Sequence, residues 1–240
     1  MIVGVVQARL SSSRLRHKAI LPLAGEPMVA RVIGRVCRAK RLAWVVAAIP
    51  PGQHPLWAAC VDAGVEVVEG PEHDLIERYG RVFKVTGADA VCRITADCVF
   101  ADPDVIDFVV AACDPLEDEY SSNVHPHRTW PDGLDVEIIT AAALERLDRL
   151  TRAKSWLCAF DAREEFTRVF WERPGLFRVQ GIQRADPEWL AALQWSVNTP
   201  EEYAGAQAVY ETLGGWFSWR TVLRRYGRKS LSEIGLTVGK

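Results

Sequence analysis

A chain of 240 residues, 49% hydrophobic and 25% charged, has the makings of one substantial core or two closely joined lobes, and no apolar run approaches membrane-spanning length. Its 29 Lys and Arg against 31 Asp and Glu give a formal net charge of -2, which argues against wholesale engagement of nucleic acid. The charge is unevenly placed: residues 1–43 hold nine Lys/Arg and one acid, whereas residues 94–127 hold eight acids and no Lys/Arg, an asymmetry suited to a ligand carrying both phosphate and metal.

Residues 2–6 are an uncharged β-branched run that reads as a buried strand. Glu26-Pro27 is expected to open a helix, since Met28, Val29, Val32, Ile33 and Val36 recur at helical spacing. "WVVAAI" at 44–49 predicts a second buried strand, followed by a helix near 54–63 and a short strand "VEVV" at 65–68. "DLIERYGRVFKVTG" predicts an amphipathic helix closed by glycine, "ADAVCRI" a strand ending at Thr95, and Asp102-Pro103 the start of the helix "DVIDFVVAAC".

This alternation predicts an α/β fold, a mostly parallel central sheet with helices on both faces. Beyond 120 the pattern loosens. "GLDVEII" alternates, which places Asp135 and Glu137 on one face of a strand, and helices are expected near 140–149, 161–172 and 199–213. "LQWSVN" at 193–198 reads as a further strand, and Thr199-Pro200-Glu201-Glu202 as a capping box, so that Asn198 would end a strand before a helix.

Ligands of such sheets bind beyond the carboxyl ends of the strands, where residues 7–18, "TADC" and Asn198 would lie. The first of these loops is long for a strand-to-helix connection, which favours function. Its Ser11-Ser12-Ser13 offers donors while Arg9, Arg14 and Lys18 supply charge, chemistry that suits a polyphosphate, although a solvated basic loop has the same composition. Neither the P-loop nor the dinucleotide glycine spacing is present. Asp97 is a natural hard-oxygen ligand for Mg²⁺, or alternatively a cap for the next helix. The six cysteines (Cys37, Cys60, Cys92, Cys98, Cys113, Cys158) form no C-x-x-C pair and are expected to be buried, reduced thiols of a cytoplasmic protein; "MIVGVV" is too short for a signal peptide.

"QARLSSSRLRHKAILPLAGEPM", "DLIERYGRV", "VCRITADCVFADPDVID", "YSSN…TWPDGLDVEI", "REEFT" and "WSVNTPEEY" follow one another in the chain. Together they resemble the spore-coat polysaccharide type of cytidylyltransferase, related to the CMP-sialic acid and CMP-Kdo synthetases, over residues 1 to about 213. The resemblance implies a glycosyltransferase-A-like single domain: 1–119 nucleotide-binding, 120–192 for acceptor and dimerisation, 193–240 a return strand with C-terminal helices. It also implies a Mg²⁺-dependent reaction of CTP with an acidic, 2-keto-3-deoxy-type sugar, and a homodimer. Carried over residue by residue, Gln7, Ala8, Arg9, Ser12, Arg14 and Lys18 would hold the nucleotide, with Arg14 and Lys18 at the reacting phosphate. Asp97 and Asn198 would hold the metal, and Asp135 and Glu137 would contact the sugar. Arg78 and Arg93 are further candidates for nucleotide or acceptor carboxylate, with a solvated helix face as the other reading of Arg78.

The chain departs from the family pattern at Ser11, Arg16, Ala96 and Val99, and most sharply at Asn198, where the relatives carry aspartate. An amide oxygen ligates Mg²⁺ without adding negative charge. That leaves two alternatives: a nucleotide-binding protein with impaired catalysis, or a nucleotidyltransferase with a phosphate or phosphonate acceptor or another NTP. His125-Pro126-His127 lacks a third ligand at zinc spacing and reads as a loop, the nine tryptophans as packing, and Arg163 and Glu164 as helix surface or site.

Overall fold

The computed structural model describes residues 1–153, 161–173, 175–185 and 187–238. Its main sheet contains β1 (Ile2–Gln7), β4 (Val45–Ile49), β5 (Glu66–Glu69), β6 (Ala90–Thr95), β7 (Tyr120–Ser122), β8 (Glu137–Thr140) and β9 (Val179–Gly181), in the order β5-β4-β1-β6-β8-β7-β9. The first four run parallel, β8 pairs antiparallel with both β6 and β7, and β9 returns parallel to β7. A short hairpin, β2 (Pro22–Leu23) with β3 (Glu26–Pro27), stands apart.

Alternation along β1 sends its side chains into two cores. Val3 and Val5 face Tyr79 and Val82 of α3 (Leu75–Thr86), Leu144 and Leu147 of α5 (Ala141–Ala153), and Phe166 and Phe170 of α6 (Phe166–Glu172). Val6 faces the other way, onto α1 (Met28–Val36), α2 (His54–Asp62), α4 (Pro103–Ala112) and α7 (Pro200–Leu213); α8 (Trp219–Tyr226) and α9 (Leu231–Val238) close that layer. The sheet is thus covered on both sides, as a parallel sheet of apolar strands requires. Asp74 caps α3 by accepting from Glu77 N, Gly87 ends it in the left-handed conformation (φ 63°), Asp102 caps α4, and Thr199 and Glu202 form the capping box of α7. Among the described residues no helix is long and apolar enough to cross a membrane.

Four local expectations are corrected. Glu26-Pro27 belongs to the small hairpin, and the helix starts one residue later, at Met28. Residues 161–165 precede α6 as a turn. Asp135 lies before β8, whose first residue Glu137 is buried: the strand sits between β6 and β7, so its polar residue faces an interior partner instead of water. Residues 193–198 form no strand of the sheet, because β8 already occupies the place beside β6; they cross the strand ends, bonded to Asp132 (Trp195 N to Asp132 O, 2.8 Å) and to Asp97 (Val197 N to Asp97 O, 3.0 Å). Gly133 (φ 100°) makes this crossing possible, since a Cβ there would lie 2.6 Å from Trp195 C. Of the cysteines, Cys60, Cys92 and Cys98 are buried, Cys37 is exposed and Cys113 half-buried; Cys158 lies outside the described residues.

Candidate active site

At the carboxyl ends of β1 and β6 two cavities adjoin, sharing Gln7 and Arg9 as a common wall. The smaller, about 260 Å³, is lined by Ala8, Arg9, Ser11, Ser12, Ser13, Arg14 and Lys18 from the first loop, by Thr95–Asp97, and by Asn198. The loop is anchored at Ala8 N to Ala48 O (3.2 Å) and Leu10 N to Gln53 Oε1 (2.9 Å). His17 then takes a left-handed conformation (φ 54°) that turns the chain into a short 3₁₀ segment beginning at Lys18.

Lys18 spends its three donors on one set of oxygens: Asp97 Oδ2 (2.8 Å), Asn198 Oδ1 (2.9 Å) and Val197 O (2.9 Å). Arg14 Nη2 reaches the same Asn198 oxygen at 2.9 Å. Asn198 presents that oxygen because its Nδ2 donates to Ser196 Oγ at 3.0 Å. Burial alone would push the Asp97 carboxyl up, but the Lys18 charge, with hydrogen bonds from Lys18 and Thr95, holds it below the usual carboxylate range. Arg16 is exposed and lines neither cavity.

The larger cavity, about 660 Å³, carries Glu72, Arg78, Arg93, Asp135, Glu137, Glu164 and the α6 face from Phe166 to Trp171. Arg78 and Arg93 therefore lie beside the cavity of the first loop, not inside it. Arg93 is ion-paired with Glu137, whose Oε1 accepts from Tyr120 at 2.6 Å, and its Nε donates to Gln7 Oε1 at 3.0 Å. Burial works against the charge of Arg93, but Glu137 outweighs it and raises the guanidinium pKa. Asp135 is paired with Arg128 (Nη2 to Oδ2, 2.9 Å).

The solvated-face reading of Arg78 is overturned. The side chain is fully buried, donating to Pro71 O (2.6 and 3.0 Å) and Glu72 O (2.9 Å), because the chain before α3 folds back over it; burial lowers its pKa. Arg163 is tied to Asp74 and Asp148 (2.7 and 2.8 Å), a clamp between α3 and α5.

Glu164, which the sequence leaves as helix surface or site, lines the larger cavity and binds Arg9 at 2.8 Å. Glu72 accepts from Ser11, and His125 stacks on Trp171 with ring centroids 3.9 Å apart. No spacing rule links residue 9 to 164 or 125 to 171, so only the fold could join them. Asp132, within "TWPDGLDVEI", lines neither cavity; burial, then the Asp135 charge, pushes its carboxyl up to about 6.

Among the described residues no group of three or more His, Cys, Asp or Glu could hold a metal ion. The donor set of Asp97 and Asn198 nevertheless fits Mg²⁺ in one specific way: two hard oxygens facing a phosphate-sized cavity, with the remaining ligands drawn from phosphate and water.

A family model described as "Cytidylyltransferase" matches residues 3–161. The spore coat polysaccharide biosynthesis protein SpsF of Bacillus subtilis is 25% identical over 221 residues, 89% of this chain and 88% of that protein. The 3-deoxy-manno-octulosonate cytidylyltransferase of Chlorobaculum tepidum is 32% identical over 112 residues, 45% and 44% of the two chains. A solved cytidylyltransferase from Leptospira borgpetersenii superposes with a TM-score of 0.83 at 24% identity, covering 93% of this chain and 94% of that one, which fixes the fold.

Proposed function

Because the chain belongs to the cytidylyltransferase family and is a nucleotidyltransferase, we propose that it transfers CMP from CTP to the hydroxyl of an acidic, 2-keto-3-deoxy-type sugar and releases pyrophosphate. The observation that carries this reading is the smaller cavity, where Arg14 and Lys18 face one carboxylate, Asp97, while Arg9 stands at the shared wall paired with Glu164. A cradle with that imbalance is completed by a polyanion.

In the reaction the acceptor hydroxyl gives up its proton to solvent and its oxygen forms a bond to the α-phosphorus, while the bond from that phosphorus to the β-bridging oxygen breaks and pyrophosphate leaves with the electron pair. The displacement needs positioning and positive charge more than covalent help. Arg14 and Lys18 would stabilise charge growing on the α-phosphate and on the departing pyrophosphate, and the Ser11–Ser13 segment would donate to the phosphate chain. Asp97 and Asn198 would hold Mg²⁺, which when bound supplies Lewis-acid polarisation of the phosphate. Gln7, Ala8, Arg78 and Arg93 would border the nucleoside, and Asp135 and Glu137, both already ion-paired, would offer their remaining lone pairs to acceptor hydroxyls.

The test is pyrophosphate release from CTP and Mg²⁺ across a panel of acidic sugars, 3-deoxy-manno-octulosonate first. Turnover abolished by Asp97→Ala or Lys18→Ala, with the fold intact by circular dichroism, supports the reading. The neutral oxygen of Asn198 favours one rival, a protein that binds nucleotide without turning it over. CTP binding without pyrophosphate from any acceptor, and turnover gained by Asn198→Asp, would establish that rival.

A further inference from the structure

The ammonium of Lys18 sits between Asp97 Oδ2 and Asn198 Oδ1, with Val197 O as its third acceptor. Those are the oxygens assigned above to a divalent ion, and Arg14 Nη2 adds a second positive group to the Asn198 oxygen. We propose that Lys18 is the resident cation of this position in the nucleotide-free protein, and that a divalent ion gains it only together with a triphosphate, which draws the ammonium away. The proposal rests on the nucleotidyltransferase reading and names the residue that governs when the site can be filled.

The physical argument is one of charge and donor count. One carboxylate and one amide oxygen balance a single positive charge; an ammonium satisfies them in full, with no donor left over. A divalent ion entering alone would meet the Lys18 and Arg14 charges at hydrogen-bond distance with one negative charge to offset them. Phosphate oxygens change both sides of that balance: they attract Lys18 and Arg14 and supply the missing negative charge and ligands. With Asn198, the two cations Lys18 and Arg14 face one carboxylate, and the resting arrangement carries one excess positive charge that repels a divalent ion. An aspartate there would cancel that excess, and a metal ion could then compete with Lys18.

The test is Mn²⁺ binding to the full-length protein by water-proton relaxation and EPR, with and without CTP, no acceptor being present. Wild type is expected to bind Mn²⁺ about tenfold or more tightly with CTP than without, a coupling of ordinary size for linked ligands. Without nucleotide, Lys18→Met in the Asn198→Asp background is expected to bind Mn²⁺ about tenfold more tightly than Asn198→Asp alone. Asp97→Asn should remove that gain. Equal affinity of the single and double variants, a gain that survives Asp97→Asn, or wild-type Mn²⁺ affinity indifferent to CTP would each overturn the proposal. Lys18→Gln replaces the methionine variant if thermal melts show the latter unfolded. Failure of wild type to bind CTP at all would count against the proposed function; the nucleotide-free arm still judges Lys18 by itself.

Discussion

The two cavities share a wall yet balance their charges differently. In the smaller, Arg14 and Lys18 face Asp97 alone, Arg9 being held by Glu164 across the shared wall, so the excess is positive. In the larger, Arg9, Arg78, Arg93 and Arg168 stand among Glu72, Asp135, Glu137, Glu164 and Glu165, with pairs already made between Arg93 and Glu137, Arg9 and Glu164, and Arg168 and Glu165. On the proposed function, the first would take the polyanion, and the second, whose charges are largely paired already, would select its ligand by shape and hydrogen-bond geometry.

The sharpest way to break the comparison is to unbalance the self-neutralised cavity. Glu137→Ala leaves the half-buried Arg93 beside Tyr120 with no counter-charge, and removal of one partner from a buried pair costs up to about 3–5 kcal/mol. A large drop in the denaturation midpoint is expected, with loss of activity following from instability. Lys18→Ala should shift the balance toward chemistry: kcat falls by about 10²-fold or more, while the thermal midpoint drops less than for Glu137→Ala, because the carboxylate left behind, Asp97, is 24% exposed and can be rehydrated. An effect of Lys18→Ala on stability alone would remove it from the chemistry.

Salt separates the cavities without mutation. Raising ionic strength from about 0.05 to 0.5 M should weaken CTP binding severalfold by isothermal titration, through screening of the cradle, and leave the acceptor KM much less changed. The smallest effect concerns Asp132. Its folded pKa of about 6 lies above the ordinary aspartate value, so the stability attached to its protonated form is present at low pH and lost as pH rises through about 6. Asp132→Asn should therefore melt higher than wild type above about pH 7 and converge with it near pH 4; the same difference at both values would refute the assignment.

Legibility in the sequence followed the same division. From 2 to 113 each strand is a short apolar run and each helix has a proline, aspartate or glycine at an end, so local chemistry names the elements and the parallel sheet follows. The cradle residues fall after the first strand, where topology alone predicts a ligand. Residues 193–198 look like a strand because "LQWSVN" is apolar and alternating, but a strand also needs a free neighbour, and β8 had taken it. Alternation put Glu137 on the polar face of its strand but cannot tell water from a half-buried arginine across the pair; only the register Arg93↔Glu137 resolves that. Arg78 misled for a related reason, its partners being backbone carbonyls of Pro71 and Glu72, which no sequence pattern advertises.

The contact between Arg9 and Glu164 has a further consequence. Both side chains remain substantially exposed, 41% and 32%, so the bond is of the kind that contributes only about 0–1 kcal/mol and parts readily. A phosphate that recruited Arg9 would leave Glu164 with His73 as its side-chain partner, in the turn leading into α6, whose residues wall the neighbouring chamber. On the proposed function, this weak latch would let the filling of one chamber reshape the rim of the next.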